Sequence, residues 1–155
     1  MPLTTEQKAE IASYINIYRA KHNSQNIVNN PTMCSSCSSL LAQSLSITGR
    51  RNPTIPKNYS ENVFMGKVSQ FSTYDPVVYV KRAIDAWYKE KARYNFTTNS
   101  PGIATSNFTN MIWNSSTEFG LGCVLFNGMV YICMSFNPPG SVSGQYAANI
   151  APADP

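Results

Sequence analysis

The sequence predicts an α+β fold, helices first and an antiparallel sheet after them. Three observations predict it. Apolar residues recur at helical spacing near the start, as in Ile11, Tyr14, Ile15 and Tyr18. Two apolar runs, FGLGCVLF and MVYICMSF, meet at Asn127-Gly128, the strongest short hairpin signal. The helical patterns all precede these runs, so the order is not the strand–helix alternation of a parallel sheet.

The elements follow in order. A first helix is expected from Thr5 to His22, with Thr4 and Gln7 placed for a capping box. NSQNIVNNP breaks its pattern. A second helix spans Thr32 to Thr48, carries Leu41, Leu45 and Thr48 along one side, and ends at Gly49. RRNPTIPKN is a loop, YSENVFMG a short segment of mixed conformation, and KVSQFSTYDP a connector. Asp75-Pro76 is an N-cap followed by proline at the first helical position. The third helix runs from there to about Tyr94, with Val77, Val80, Ile84, Trp87 and Tyr88 inward. NFTTNSPGIATS is loop, and NFTNMIW is expected as the first strand of the sheet, ahead of the hairpin. From 137 to 155 the chain is a Pro/Gly-rich tail without a helix pattern. No repeat or internal boundary appears, so residues 1–155 are expected to form one domain.

Composition narrows the function classes. Charged residues are 13% of the chain, about half the usual share of roughly 25%. The net charge of +4 is spread without a Lys/Arg run or a basic helix face, which argues against nucleic acid. No apolar stretch approaches the roughly 18 residues of a membrane span. No signal peptide precedes the first helix, so the chain is expected either to stay inside the cell or to have lost a leader ahead of Met1. Cys34, Cys37, Cys123 and Cys133 allow three pairings, of which Cys34–Cys37 with Cys123–Cys133 is the local one. Asn58, Asn95, Asn107 and Asn114 each begin a glycosylation triplet.

Chemistry-bearing residues are few. His22 is the only histidine, which excludes a two-histidine metal site or acid–base scheme. There is no nucleophile elbow, Walker loop or dinucleotide fingerprint. Two of the eight acids stand out: Glu61 lies between Tyr59 and Phe64, and Glu90 follows Trp87-Tyr88 on a helix that must pack inward. Such a pair can be an acid/base couple or can simply accept hydrogen bonds that hold a cleft together.

Seven segments then appear in a telling order: INIYRAKHN, LLAQSL, YSENVFMG, AWYKE, SNFTNMIWNSS, FGLGCV and YICMSFNPPGSVSGQY. Together they resemble the CAP superfamily of cysteine-rich secretory, antigen 5 and pathogenesis-related class-one proteins, over nearly the whole chain. The resemblance implies a three-layer α-β-α sandwich around an antiparallel sheet of three to four strands. It implies secretion, in which disulfides are stable. Relatives carry two glutamates and two histidines in a central cleft. The glutamates fall on Glu61 and Glu90 and one histidine position on Asn107, while the segment before Glu61 holds no histidine. The expectation is therefore a cleft of Glu61, Glu90 and Asn107 with no metal, no cofactor and no catalytic residue.

What the resemblance leaves is lipid binding, of a sterol or a fatty acid. The family's sterol-associated loop corresponds to Phe64, Met65, Phe71, Tyr74 and Tyr79. Its fatty-acid channel corresponds to Ile11, Ile15 and Tyr18 facing Val80, Ile84 and Trp87, residues for which plain core packing is the simpler explanation. The alternative partner is a protein receptor, met by the surface loops of an immune modulator, effector or toxin-like ligand.

Overall fold

The computed structural model describes residues 3–70 and 73–153, for residues 36 and 37 the backbone alone. Its helices are α1 (Thr5–Lys21), α2 (Pro31–Met33), α3 (Ser39–Thr48), α4 (Pro76–Tyr88), α5 (Ser106–Ile112) and α6 (Tyr146–Asn149). Its strands are β1 (Val28–Asn29), β2 (Ser60–Lys67), β3 (Glu118–Phe126) and β4 (Met129–Asn137). A π-helical turn, Cys34–Ser38, joins α2 to α3, and a 3₁₀ turn, Lys89–Arg93, extends α4.

Local signals set the helix ends. Thr4 Oγ1 accepts the Gln7 backbone N–H at 3.1 Å and Gln7 Oε1 accepts that of Thr4 at 2.9 Å, closing the capping box. Asp75 caps α4 through the Val77 N–H, with Pro76 at the first helical position. At the hairpin, Asn127 and Gly128 have φ of 51° and 73°, the left-handed pair that a tight two-residue turn requires.

The sheet order is β1-β3-β4-β2. β4 pairs antiparallel with β2 and β3, but β1 pairs parallel with β3, so the sheet is mixed rather than purely antiparallel. Three further expectations change. YSENVFMG is strand, since β2 lies beside β4 along its length. NFTNMIW is helix α5, not strand: Phe108, Met111 and Ile112 are spaced i, i+3, i+4 and all three are buried. The tail contains the short helix α6.

Strand periodicity divides the molecule into layers. Val130, Ile132, Met134 and Phe136 of β4 face α1, α4 and α5 and form the main core with Ile11, Ile15, Val80, Ile84 and Trp87. Cys133 faces the other way, into a smaller core with Leu41, Ala42 and Ile55 beneath α3. This is the α-β-α sandwich. α3 approaches the sheet closely because β3 has glycine there: a Cβ on Gly122 would lie 2.2 Å from the Ser38 carbonyl oxygen. Among the described residues no helix is long and apolar enough to cross a membrane.

The same register corrects the local disulfide pairing. Cys133 lies opposite Gly122, and Cys123 lies opposite Ile132. The two sulfurs therefore project from opposite faces of the sheet. Cys34, Cys123 and Cys133 are free thiols. The side chain of Cys37 lies outside the described residues.

Candidate functional site

The two singled-out carboxylates are held by separate sets of partners. Glu61 is the second residue of β2, and the loop after α3 brings Arg51 to it. Arg51 Nε and Nη2 donate to Glu61 Oε1 and Oε2 at 2.9 and 2.7 Å, a fork-to-fork pair. The same guanidinium donates to the carbonyls of Ile55 and Pro56 at 3.0 and 3.2 Å, fastening the loop down. The two side chains are 24% and 12% exposed.

Glu90 sits in the 3₁₀ turn and serves α5. Its Oε1 accepts the Phe108 backbone N–H at 3.0 Å and its Oε2 accepts Asn107 Nδ2 at 2.9 Å. The first N–H groups of a helix lack internal partners and carry partial positive charge, so a carboxylate there both satisfies and stabilises them. The Asn107 carbonyl in turn accepts Asn62 Nδ2, and Asn62 Oδ1 accepts Asn110 Nδ2 at 3.1 Å. Ser141 Oγ donates to Asn110 Oδ1 at 2.6 Å. Glu90, Asn107, Asn62 and Asn110 thus form one network between the 3₁₀ turn, β2 and α5. Asn62 is fully buried, and every member has its donor or acceptor answered by a neighbour, as buried polar groups require.

His22 is elsewhere. Its Nδ1 lies 2.7 Å from the Ala151 carbonyl oxygen and its Nε2 lies 2.8 Å from Tyr88 Oη, within a nest of Tyr88, Phe96 and Phe108 rings.

The lipid candidates scatter. Ile11, Ile15, Val80, Ile84 and Trp87 are packed into the main core. Tyr18 is half-buried and donates to Asp85 Oδ1 at 2.6 Å, as does Tyr14; burial and that carboxylate together push the Tyr18 hydroxyl above its ordinary pKa. An acyl chain between α1 and α4 would have to part these side chains. Of the loop candidates, Phe64 packs against the main core and Met65, its strand neighbour, is 58% exposed. Tyr74 and Tyr79 lie with ring centroids 5.7 Å apart and planes tilted by 35°, and Tyr74 Oη lies 3.0 Å from Cys123 Sγ. Phe71 lies outside the described residues.

Two arginines were not among the sequence candidates. Arg51 had a signal: a cation ten residues before an acid across a proline-rich loop. Arg19 falls four residues after Ile15 on the buried stripe of α1. It is fully buried and donates to the carbonyls of Gln25, Met111 and Ser116 at 2.8, 2.8 and 3.0 Å, joining α1 to α5 and the segment after it. Burial pulls its guanidinium down to about 10.

Of the described thiols, Cys34 and Cys133 are buried and Cys123 is half-buried. Cys34 Sγ accepts the Leu121 backbone N–H at 3.2 Å, answering a donor on the part of β3 that β1 leaves uncovered. Burial raises Cys123 and pushes Cys133 up to about 12.

Comparison with known proteins agrees with this architecture. The chain is 30% identical over 90 residues to a pathogenesis-related protein, PR-1 type, of Sambucus nigra, covering 56% of this chain and 50% of that one. It spans about half the length or less of the curated relatives it matches. Among solved structures, Schistosoma mansoni venom allergen-like protein 4 superposes with a TM-score of 0.62 at 17% identity, over 98% of this chain and 97% of that one. NaASP2, solved with Zn²⁺, superposes with a TM-score of 0.61 at 16% identity, over 98% and 88%. The family profile matches residues 12–136, a span that contains most of the sandwich, Arg51 and Glu61, and the network of Glu90, Asn62 and α5, and on that match the chain belongs to the cysteine-rich secretory protein (CAP) family.

Proposed function

We propose that the chain is a secreted, non-catalytic CAP-domain protein that binds a small lipid, a sterol or a fatty acid. The observation that carries the non-catalytic part is the state of the two carboxylates. Glu61 has both oxygens on Arg51, and Glu90 has both on α5. A general acid or base needs a proton it can exchange with substrate, and these groups are committed to holding a loop and a helix in place.

Zinc does not fit the residues present. A guanidinium occupies Glu61, an amide occupies Glu90, and the imidazole of His22 is engaged with Ala151 and Tyr88. A carboxamide is a poor zinc ligand beside an imidazole. Tight stoichiometric zinc binding at neutral pH, lost in Glu61→Ala, would overturn this.

Apolar ligand chemistry is favoured by the outer face of α3, where Leu40 and Ile47 stand open to solvent. Secretion rests on the family relation alone, because three free thiols are equally what a reducing compartment leaves. One observation favours a protein receptor as a second reading: Leu125 and Phe126 at the hairpin tip are exposed, and exposed apolar clusters mark interaction surfaces. Equilibrium binding of labelled cholesterol and palmitate tests the first reading. Saturable binding of either supports it; binding of neither, together with capture of a receptor that Phe126→Asp abolishes, replaces it with the second.

A further inference from the structure

Two of the free thiols meet at one recess, away from the carboxylate network. β1 pairs with β3 only at Glu118 and Phe119. Beyond them the π-helical turn, Cys34–Ser38, lies against the strand. Such turns are rare and concentrate at functional sites. Glycine permits the approach: a Cβ on Gly120 would lie 2.8 Å from the Cys34 backbone nitrogen. Leu121 and Cys123 follow on one face of β3, and Cys34 Sγ sits 3.2 Å from the Leu121 nitrogen. Cys34 and Cys123 thereby line a single recess of about 180 Å³. The rest of its lining is Leu3, Pro31 and Leu121 among apolar residues, and Lys8, Ser35 and Ser39 among polar ones. Cys133 packs on the other face of the sheet.

Both sulfurs are met by donors. Cys34 Sγ accepts the Leu121 N–H and Asn29 Nδ2 at 3.2 and 3.3 Å, and Tyr74 Oη lies 3.0 Å from Cys123 Sγ. Hydrogen bonds to sulfur are how proteins hold the charge of a metal-bound thiolate. Lys8 is half-buried and makes no ion pair among the described residues, and no acid lines the recess. Its positive charge is therefore left for an anionic complex to balance. The number of donors then selects the ion. Among the described residues no group of three or more His, Cys, Asp or Glu side chains is placed to hold a metal, so a four-coordinate ion such as zinc has no cage. Soft thiolates select Cu(I), a d¹⁰ ion that takes two sulfurs in line.

We propose that Cys34 and Cys123 bind one Cu(I) ion as a two-coordinate thiolate pair. Each thiol gives its proton to solvent and a sulfur lone pair to copper, whose oxidation state does not change. Cys123 turns its half-buried sulfur toward Cys34, and Tyr74 donates to it. The S–Cu–S unit carries one negative charge, which Lys8 balances. The site is independent of any lipid.

The test is anaerobic titration of the whole reduced protein with Cu(I), supplied as its acetonitrile complex in competition with bicinchoninate. One Cu(I) per chain is expected, with two sulfur neighbours in copper-edge X-ray absorption. Cys34→Ser and Cys123→Ser are each expected to weaken binding by more than about a hundredfold, and Lys8→Gln and Tyr74→Phe by about tenfold. Cys133→Ser should leave the affinity unchanged. Two protons leave for each ion bound, so the apparent affinity should rise about a hundredfold for each unit of pH through the acid range. Cys123→Ser changes a half-buried side chain and should keep native circular dichroism and melting, which separates loss of copper from loss of fold. No Cu(I) bound by the reduced protein overturns the proposal. So does a Cu(I) ion retained in both Cys34→Ser and Cys123→Ser, or one lost in Cys37→Ser and kept in Cys123→Ser. Three or more sulfur or nitrogen neighbours at the copper edge overturn the two-coordinate assignment.

Discussion

Replacing Arg51 with methionine tests whether Glu61 is a structural anchor. The substitution keeps most of the side-chain length and removes the fork. It breaks two charged hydrogen bonds to Glu61, at 2.9 and 2.7 Å, and two to the carbonyls of Ile55 and Pro56, at 3.0 and 3.2 Å. An exposed ion pair contributes about 0.2–1 kcal/mol, and breaking a fully buried one costs about 3–5 kcal/mol. With side chains 24% and 12% exposed, this pair falls between, at about 1–2 kcal/mol. Each carbonyl contact adds about 0.5–1 kcal/mol. Arg51→Met is therefore expected to cost about 2–4 kcal/mol and Glu61→Gln about 1–2 kcal/mol, since the amide keeps the shape and leaves the carbonyl contacts alone. Urea denaturation of both single variants and the double variant closes a cycle with a coupling energy of about 1–2 kcal/mol. Additivity within about 0.3 kcal/mol would refute the pair as an anchor.

Four more outcomes follow. Gly122→Ala places a Cβ 2.2 Å from the Ser38 carbonyl oxygen; α3 must lift off β3, at about 2–3 kcal/mol, and the melting temperature should fall by about 5–10 °C. An unchanged melting curve would contradict the close approach. Cys133, fully buried and pushed up to about 12, should escape iodoacetamide at pH 8 in the native protein and react fully in denaturant, as peptide mass mapping will show. Hydrogen bonds from Asn137 and Asn30 hold the folded Glu118 carboxyl below its ordinary value of 4.5. Its contribution is present above that value and is lost as the pH falls through the lower folded one, so Glu118→Gln should flatten the acid limb of the stability profile, and an identical limb would contradict it. In protein made through a eukaryotic secretory pathway, glycan is expected at the exposed Asn58 or Asn95 and not at Asn107, whose Nδ2 is bonded to Glu90; an occupied Asn107 would mean that α5 is not capped as described.

The sequence by itself determined whatever depends on neighbours a few residues away. The capping box at Thr4, the Asp75-Pro76 start, the Gly49 stop at φ 72° and the Asn127-Gly128 turn are all local, and all stand in the structure. The family relation was legible too, because it rests on the order of short motifs. The tertiary structure decided the rest. SNFTNMI contains amides and hydroxyls that favour turns and caps over helix interiors, and it reads as strand beside a sheet. It is helical because Glu90, brought by another element, answers the Phe108 N–H in its first turn and the Asn107 side chain, and because Phe108, Met111 and Ile112 find the core. The parallel strand β1 pairs with residues some ninety positions away, and nothing in two residues, Val28 and Asn29, announces that. Cys123 and Cys133 flank one hairpin, yet a register difference of a single residue sends their sulfurs to opposite faces. Glu61 and Glu90 are named by motif; that the first is held by Arg51 and the second by a helix end is a fact of packing, which brings together groups the chain keeps apart.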